Sequence, residues 1–231
     1  MAKIAVDGPA GSGKSTLARL LAARLGFTYV DTGAMYRACA LLVIRNGTDP
    51  EDGSAVLGTC GPADIRLEGS LEDQRVLLNG EDVTREIRSP RVTGLVSRVA
   101  AHSGLRQEML RRQQQMAAQT DVVMDGRDIG TAVLPDADIK FYVTASLKER
   151  AARRMGDFSG LGHEKNAGEL MDEIARRDRE DMSREASPLR QPEDAVVVDT
   201  SGKTVEESLE ELLGHWKRKT GEKPGTETPG L

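Results

Sequence analysis

A glycine-rich segment near the N-terminus combines residue types that bind phosphate. It reads Gly8-Pro9-Ala10-Gly11-Ser12-Gly13-Lys14-Ser15, which satisfies the pattern GxxxxGK followed by Ser or Thr. An apolar run precedes it and a helical pattern follows it, the context in which backbone N–H groups converge on nucleotide phosphates. We expect Lys14 to neutralise β- and γ-phosphate oxygens and Ser15 to ligate Mg²⁺, with Thr16 offering a neighbouring hydroxyl. An accidental glycine-rich turn is the alternative, but spacing, strand, Lys-Ser pair and helix all coincide.

Asp125 is a second candidate for phosphate chemistry, because it ends the apolar run of residues 122–125. A carboxylate at the end of such a strand commonly lies near Mg²⁺ in phosphoryl-transfer enzymes. Many buried strands also end in an Asp that only caps the next turn. Asp125 is therefore a candidate metal ligand, with a purely structural cap as the alternative.

Two arginines follow predicted strands, at positions where packing of a hydrophobic core does not explain a charged side chain. Arg37 comes shortly after the second strand, and Arg127 comes directly after the run that ends at Asp125. Loops at the carboxyl ends of strands line the ligand crevice of an open α/β sheet. Both guanidinium groups are therefore expected to face a bound anion.

A later helical segment places Arg177, Asp181 and Arg184 at positions i, i+4 and i+7. Side chains with this spacing share one face of a helix. A solvated ion-pair face is the alternative, and for this segment alone it is the favoured interpretation. An acceptor molecule that carries its own phosphate would explain why so many guanidinium groups are present.

The elements that must position these residues alternate between strands and helices along most of the chain. Short β-type runs are found at residues 3–7, 28–30, 122–125, 139–143 and 196–199. This alternation predicts an α/β fold, with a five-stranded parallel sheet flanked by helices around the phosphate-binding loop. The first helix is predicted to begin near Lys14 and to end at Gly26, and helical periodicity returns over residues 91–119 and 169–184.

Two segments interrupt this pattern, and the chain ends in a polar tail. Residues 48–90 predict a small antiparallel insert joined by exposed linkers, with a tight turn at Asn79 and Gly80. Residues 156–168 have loop composition and predict a mobile flap. Residues 217–231 are predicted to be disordered, because they contain few apolar residues. The core then comprises residues 1–47, 91–155 and 169–216.

The composition narrows the class of protein. A chain of 231 residues with 38% hydrophobic content can bury one full core, and its net charge of −5 gives no basic face for a nucleic-acid polymer. Cys39 and Cys60 stand apart without metal-binding spacing, so both are predicted to be reduced and structural. No run of about 18 apolar residues and no leader sequence is found, so we expect a cytoplasmic location without membrane contact. The sequence also lacks the NKxD motif with which guanine-nucleotide switches bind guanine, which argues against that class of protein.

Five segments in order resemble the bacterial cytidylate kinases, from Ile4 to about Trp216. They are DGPAGSGKST from Asp7, DTGAMYR from Asp31, SRVAAHSGLRQEMLRRQ from Ser97, DGRDIGT from Asp125 and RDREDMSREASPL from Arg177. The resemblance implies a monomeric P-loop kinase that uses ATP and Mg²⁺ to convert CMP or dCMP to its diphosphate. It further implies that the insert is the domain that binds the nucleoside monophosphate (NMP) and that the flap is the LID.

The resemblance also assigns roles to individual residues. ATP would be bound by residues 8–16 together with Arg153 or Arg154, which would approach ATP as the LID closes. The acceptor phosphate would be held by Arg37, Arg127 and Arg184, the cytosine read by Ser97, Arg106 and Asp128, and the sugar contacted by Arg177 and Asp181, with Thr32 at the sugar or phosphate. Lys14, Arg127, Asp181 and Arg184 would act in catalysis.

Two alternatives to this reading remain. One is another small-molecule kinase on the same core, such as a uridylate kinase, against which the base-reading set argues. The other is a regulatory module that binds nucleotide without transferring phosphate, against which the intact Lys14, Arg127 and Asp181 argue.

Overall fold

The computed structural model describes residues 1–69, 73–159 and 166–221. Its strands are β1 (Lys3–Asp7), β2 (Thr28–Asp31), β3 (Ile65–Glu68), β4 (Arg75–Leu78), β5 (Glu81–Asp82), β6 (Val122–Gly126), β7 (Ile139–Thr144) and β8 (Val196–Asp199). Its helices are α1 (Lys14–Leu25), α2 (Thr32–Asn46), α3 (Gly53–Cys60), α4 (Pro90–Val99), α5 (Ser103–Ala117), α6 (Leu147–Ser159), α7 (Ala167–Ser183) and α8 (Val205–Thr220).

A five-stranded sheet forms the centre of the fold, in the order β2-β6-β1-β7-β8. Every neighbouring pair is parallel, which confirms the predicted sheet. Helices α1 and α8 cover one face through buried residues such as Leu17, Leu21 and Leu212. The other face packs against the end of α5 and a turn of π-helix at Ile129–Val133. Covering on both faces explains why these strands are continuous apolar runs rather than alternating ones.

The strand register brings three acidic residues to the same edge of the sheet. Asp31 at the end of β2 pairs with Asp125 of β6, and Asp7 at the end of β1 pairs with Gly126. The carboxyl ends of β1, β2 and β6 therefore lie side by side. This edge is where an open α/β sheet forms its ligand crevice.

Helix α1 begins and ends where the glycines predict. Gly13 precedes it with a φ of 86°, and Gly26 follows it with a φ of 69°, a left-handed conformation that commonly terminates helices. The apolar face of α1 packs against the sheet: Leu17 and Leu21 are buried, and Leu20 and Leu25 pack against the same core. The loop and its helix are therefore anchored to the sheet.

The insert contains the predicted antiparallel strands, in the order β3-β4-β5. Asn79 and Gly80 both have positive φ, 52° and 86°, which is the geometry of the two-residue hairpin turn. Two features differ from expectation. The insert also contains α3, and its residues Val76 and Ile87 share one buried cluster with α2, α4 and α5. The insert therefore packs onto neighbouring helices instead of being held by linkers alone, because one face of its small sheet is apolar.

Both cysteines are buried and free, as the sequence predicts. The predicted LID at 156–168 overlaps the end of α6 and the start of α7, and residues 160–165 lie outside the described residues. The disordered tail is predicted to begin at residue 217, which is before the end of the last helix. Residues 217–220 belong to α8, which Trp216 anchors by an edge contact with Phe27 at 5.7 Å between ring centroids. The remaining tail, 222–231, lies outside the described residues. Among the described helices, none has the length and apolar character needed to cross a membrane.

Candidate active site

A cavity of about 800 Å³ lies along the carboxyl edge of the central sheet. It is lined by almost all of the predicted site residues, namely residues 10–16, Thr32, Arg37, Ser97, Arg106, Asp125, Arg127, Asp128, Arg153, Arg154, Arg177, Asp181 and Arg184. Gly8 and Pro9 do not line it. The structure therefore brings together residues that lie as much as 174 positions apart in the sequence, counting from residue 10 to residue 184.

The phosphate-binding loop needs its glycines for two reasons. Gly8, Gly11 and Gly13 all have positive φ, a backbone conformation that residues other than glycine rarely adopt. At Gly8 a Cβ atom would also lie 2.0 Å from the carbonyl oxygen of Val143. Gly8 is therefore required for packing against β7, which explains its position behind the cavity wall.

Lys14 is the first residue of α1 and is almost fully buried. Burial, reinforced by the nearby charge of Arg127, lowers the pKa of Lys14 to about 7. Its Nζ atom lies 3.4 Å from the carbonyl oxygen of Pro9. A cationic group held out of water in this way binds a polyanion strongly, because the anion replaces the missing solvent.

Asp125 lies between a hydroxyl of the loop and a buried tyrosine. Its Oδ2 accepts a hydrogen bond from Ser15 Oγ at 2.7 Å, and its Oδ1 accepts one from Tyr29 Oη at 2.8 Å. Burial and the neighbouring charge of Asp31 raise the pKa of Asp125. The carboxylate thus faces the phosphate-binding loop rather than capping the turn after β6, which favours the first of its two interpretations.

The described residues contain no group of three or more His, Cys, Asp or Glu side chains that could hold a metal by themselves. Ser15 and Asp125 instead bring a hydroxyl and a carboxylate oxygen together beside the phosphate-binding loop. Mg²⁺ is commonly bound in this way, through one or two protein oxygens, substrate phosphates and water. The residues present therefore fit a nucleotide-bound Mg²⁺.

Two helices brace the phosphate-binding loop from behind. Asp178 of α7 accepts a hydrogen bond from the backbone N–H of Ala10 at 3.1 Å, and Arg150 of α6 donates one to the carbonyl oxygen of Ala10 at 3.1 Å. The two side chains also form a buried ion pair. Arg153 donates to the carbonyl oxygen of Ser12 at 3.2 Å, so it already contacts the loop.

The predicted arginine and aspartate face of α7 meets Arg127. Asp181 accepts a hydrogen bond from Arg127 Nε at 2.8 Å and lies 3.5 Å from Arg184. Arg184 also donates to the carbonyl oxygen of Ser187 at 2.8 Å. Burial and the charge of Arg127 lower the pKa of Arg177 to about 10. These residues form a positively charged interior rather than a solvated ion-pair surface, so the alternative favoured from the sequence alone is wrong here.

Arg106 and Asp128 form a buried ion pair at the far end of the cavity. Arg106 also donates to the carbonyl oxygen of Ala100 at 3.0 Å, and its guanidinium carbon lies 5.3 Å from the ring centre of Tyr36. Arg184 approaches Asp128 to 3.8 Å. This end of the cavity therefore presents a carboxylate, a guanidinium group and an aromatic ring, a set that can recognise a planar base by its edges.

Arg37 and Thr32 are positioned by the ends of β2 and β6. Asp31 caps α2 by accepting from the backbone N–H of Ala34 at 2.8 Å and also accepts from Arg37 at 2.8 Å. Burial opposes ionisation of Asp31, but the charge of Arg37 and the cap hydrogen bond hold its pKa below the ordinary value. Thr32 donates to the carbonyl oxygen of Asp125 at 2.6 Å, so its hydroxyl serves the protein backbone in this structure.

Several guanidinium nitrogens in the cavity have no hydrogen-bond partner. Among the described residues, they are Nε of Arg37, Nε of Arg106, Nε of Arg177 and Nη2 of Arg184. A buried donor left without a hydrogen bond costs about 1–3 kcal/mol, so four such donors around one cavity favour a site that a ligand with acceptor oxygens would satisfy. The arrangement is typical of a site for a phosphorylated molecule.

Some residues of the site have no strong signal in the sequence. Tyr29, Arg150 and Asp178 contact the site through partners about 30 to 170 positions away in the sequence. Asp7 accepts hydrogen bonds from the backbone of Ile129 and Gly130, which lie across the sheet. Asp7, Asp31 and Asp178 fall within the segments that resemble the family, and Asp7 and Asp31 also lie at the carboxyl ends of predicted strands.

Comparison with known proteins agrees with this geometry. A family model described as Cytidylate kinase matches residues 4–218. A protein named "Cytidylate kinase" from Symbiobacterium thermophilum is 50% identical over 216 residues, covering 93% of this chain and 96% of the relative. Another of that name, from Geobacillus thermodenitrificans, is 50% identical over 210 residues, covering 91% and 94%.

Among solved structures, an uncharacterized protein from Eubacterium ventriosum superposes with a TM-score of 0.53 at 10% identity, covering 94% of this chain and 98% of the other. At that identity the likeness shows the shared fold alone. The matches in sequence carry the assignment, because they extend over nearly the whole length of both proteins. The chain belongs to the cytidylate kinase family.

Proposed function

We propose that this protein transfers the γ-phosphoryl group of ATP to CMP or dCMP, which gives ADP and CDP or dCDP. The observation that carries the proposal is the set of buried guanidinium nitrogens of Arg37, Arg106, Arg177 and Arg184 that have no hydrogen-bond partner among the described residues. They line the same cavity as the phosphate-binding loop. A protein that bound only one nucleotide at the loop would not need a second cluster of cationic donors. Membership of the cytidylate kinase family supports the same reaction.

The donor nucleotide is proposed to bind at the loop of residues 8–16. Backbone N–H groups at the start of α1 and the ammonium group of Lys14 face its phosphates. Arg153 would contact the same phosphates, and its hydrogen bond to the carbonyl oxygen of Ser12 supports this role. Ser15 and Asp125 would hold Mg²⁺, which when bound screens the charge of the transferring group.

The acceptor is proposed to lie between α7 and the base-recognition end of the cavity. Arg37, Arg127 and Arg184 would hold its phosphate, and Arg177 and Asp181 its sugar. Asp128 and Ser97 can accept hydrogen bonds from the exocyclic amine of cytosine, and Arg106 can donate to its O2 and N3. Uracil has a carbonyl group in place of that amine, so the buried Asp128 would lose a donor.

The protein supplies no nucleophile in this reaction. An oxygen of the acceptor phosphate attacks, and the side chains neutralise and align the two phosphate groups. Arg127 lies between the proposed donor and acceptor sites. It donates a hydrogen bond to Asp181 of α7, and its charge is close enough to Lys14 to lower the pKa of that lysine. Closing of the LID over both nucleotides would exclude water, so that phosphate is not lost to hydrolysis.

The proposal is tested by measuring ADP release from ATP and Mg²⁺ with CMP, dCMP, UMP, AMP and GMP offered separately. Stimulation by CMP and dCMP above the blank without acceptor is expected. Preference for UMP would favour a uridylate kinase, and ATP turnover without acceptor dependence would favour a regulatory module. A monomeric state and a cytoplasmic location stay predictions; light scattering of the purified protein tests the first.

A further inference from the structure

We propose that Asp7 is a positioning residue that sets base discrimination, because it holds the backbone segment that carries Asp128 in place. The inference rests on the proposed function and concerns a residue that contacts neither nucleotide in that proposal. Asp7 is the last residue of β1 and is 1% exposed. It does not line the cavity, so its effect on the acceptor must pass through other residues.

The carboxylate of Asp7 makes two hydrogen bonds across the sheet. Oδ1 accepts from the backbone N–H of Ile129 at 2.8 Å, and Oδ2 accepts from that of Gly130 at 2.7 Å. These are the first two residues of the π-helical turn that follows β6. Free N–H groups at the start of a helical turn are normally capped by the side chain of the residue just before it.

The residue just before this turn is Asp128, and it does not serve as the cap. It has a φ of −140° and a ψ of 25°, and its side chain makes no capping hydrogen bond. Instead its carboxylate pairs with Arg106 and approaches Arg184, facing the cavity. Asp7 therefore performs the capping that Asp128 would otherwise perform, which leaves the carboxylate of Asp128 available for the base.

Tight packing fixes the turn against Asp7. A Cβ atom added at Gly130 would lie 3.0 Å from Lys140, 3.1 Å from Pro192 and 3.3 Å from Asp7 Oδ2. The glycine allows the backbone to approach the carboxylate closely, and the surrounding side chains leave it little room to shift. Displacement of the turn would move Asp128 with it, since the two are adjacent in the chain.

The variant Asp7→Asn tests the inference, because asparagine keeps the shape but can accept only one of the two N–H groups. We expect the ratio of kcat/KM for CMP to kcat/KM for UMP to fall on the order of tenfold, mainly through a higher KM for CMP, with KM for ATP changed less than about twofold. This ratio is measured on one preparation and does not depend on the fraction of folded enzyme. Asp7→Ser, which also keeps one acceptor, serves as the second variant if Asp7→Asn yields no folded protein.

Asp178→Asn is the matched control. Asp178 is also a buried aspartate that accepts from a backbone N–H, but its partner is Ala10 of the phosphate-binding loop. We expect this variant to raise KM for ATP and to leave the CMP-to-UMP ratio unchanged. If both variants lower the ratio equally, the effect is a general loosening of the protein and the inference is wrong.

A double-mutant cycle with Asp128→Ala shows whether Asp7 acts through Asp128. In that background Asp7→Asn should change the ratio less than about twofold, because the group it positions is gone. An unchanged ratio for Asp7→Asn alone, or equal losses in both backgrounds, would overturn the inference. The wild-type enzyme tests the proposed function separately: if it does not prefer CMP, that proposal fails and the inference fails with it, whatever the variants do.

Discussion

The buried carboxylate of Asp7 should make the stability of this protein depend on pH in a way that one substitution reveals. Burial raises the pKa of Asp7 from 3.8 to about 7, although hydrogen bonds from Gly130 and Ile129 oppose the shift. The folded protein therefore holds the proton of this carboxyl group more tightly than the unfolded chain does. The stability that this proton contributes is fully present below pH 3.8 and is lost as the pH rises through 7.

The size of the effect follows from the shift. Each pKa unit corresponds to about 1.4 kcal/mol, so a rise from 3.8 to about 7 corresponds to about 4 kcal/mol of stability lost between acid and neutral pH. Between pH 5 and pH 8 the loss amounts to about 2–3 kcal/mol, because most of the titration of the folded state falls in that range. Asp7→Asn cannot titrate and should lose none of it.

Urea unfolding at pH 5 and pH 8 measures the difference. Other groups titrate in both proteins, so only the free energy of unfolding of the wild type minus that of Asp7→Asn is informative. We expect this difference to decrease by about 2–3 kcal/mol from pH 5 to pH 8. If it is the same at both values, Asp7 is not a buried acid with a raised pKa, and the reasoning is refuted.

Three further predictions concern the proposed site. Lys14→Ala should lower kcat/KM for ATP by about 100-fold or more in steady-state assays, since it removes the loop's ammonium group; a change under about threefold would contradict the role. Arg184→Ala should raise KM for CMP by about tenfold while KM for ATP changes little, and equal changes in both would argue against acceptor binding. Asp128→Ala should lower the CMP-to-UMP ratio of kcat/KM and, by leaving Arg106 buried without its partner, destabilise the protein by about 3 kcal/mol in urea unfolding; an unchanged ratio would show that the base is read elsewhere.

Much of the sheet and of the loop could be predicted from the sequence, because these features are encoded locally. β1 and β8 have the predicted bounds, and the other three core strands each extend one residue further than predicted. The glycine at each end of α1 specifies where that helix begins and ends. Apolar runs, turn residues and the phosphate-binding pattern are all readable within a window of about ten residues.

The missed features depend on contacts between distant parts of the chain. Helix α3 has two glycines among its eight residues, so its sequence gives a weak helical signal, and Asp52 caps it at the start. The last turn of α8 is polar, yet it continues from the buried Trp216 until Gly221 ends it. The bond from Tyr29 to Asp125 and those from Asp7 to the turn after β6 join residues 96 to 123 positions apart. No local pattern specifies such pairs.

Helix α7 joins the two ends of the active site mechanically. Asp178 connects α7 to the phosphate-binding loop by accepting a hydrogen bond from Ala10. Asp181 accepts one from Arg127, which belongs to the arginines proposed to hold the acceptor phosphate. A rigid helix cannot tilt at one of these contacts without moving the other. If both nucleotides favour a particular position of α7, the factor by which the donor changes the affinity for the acceptor equals the factor by which the acceptor changes the affinity for the donor. Binding of one substrate can then change the affinity for the other through this single helix, before any phosphate is transferred.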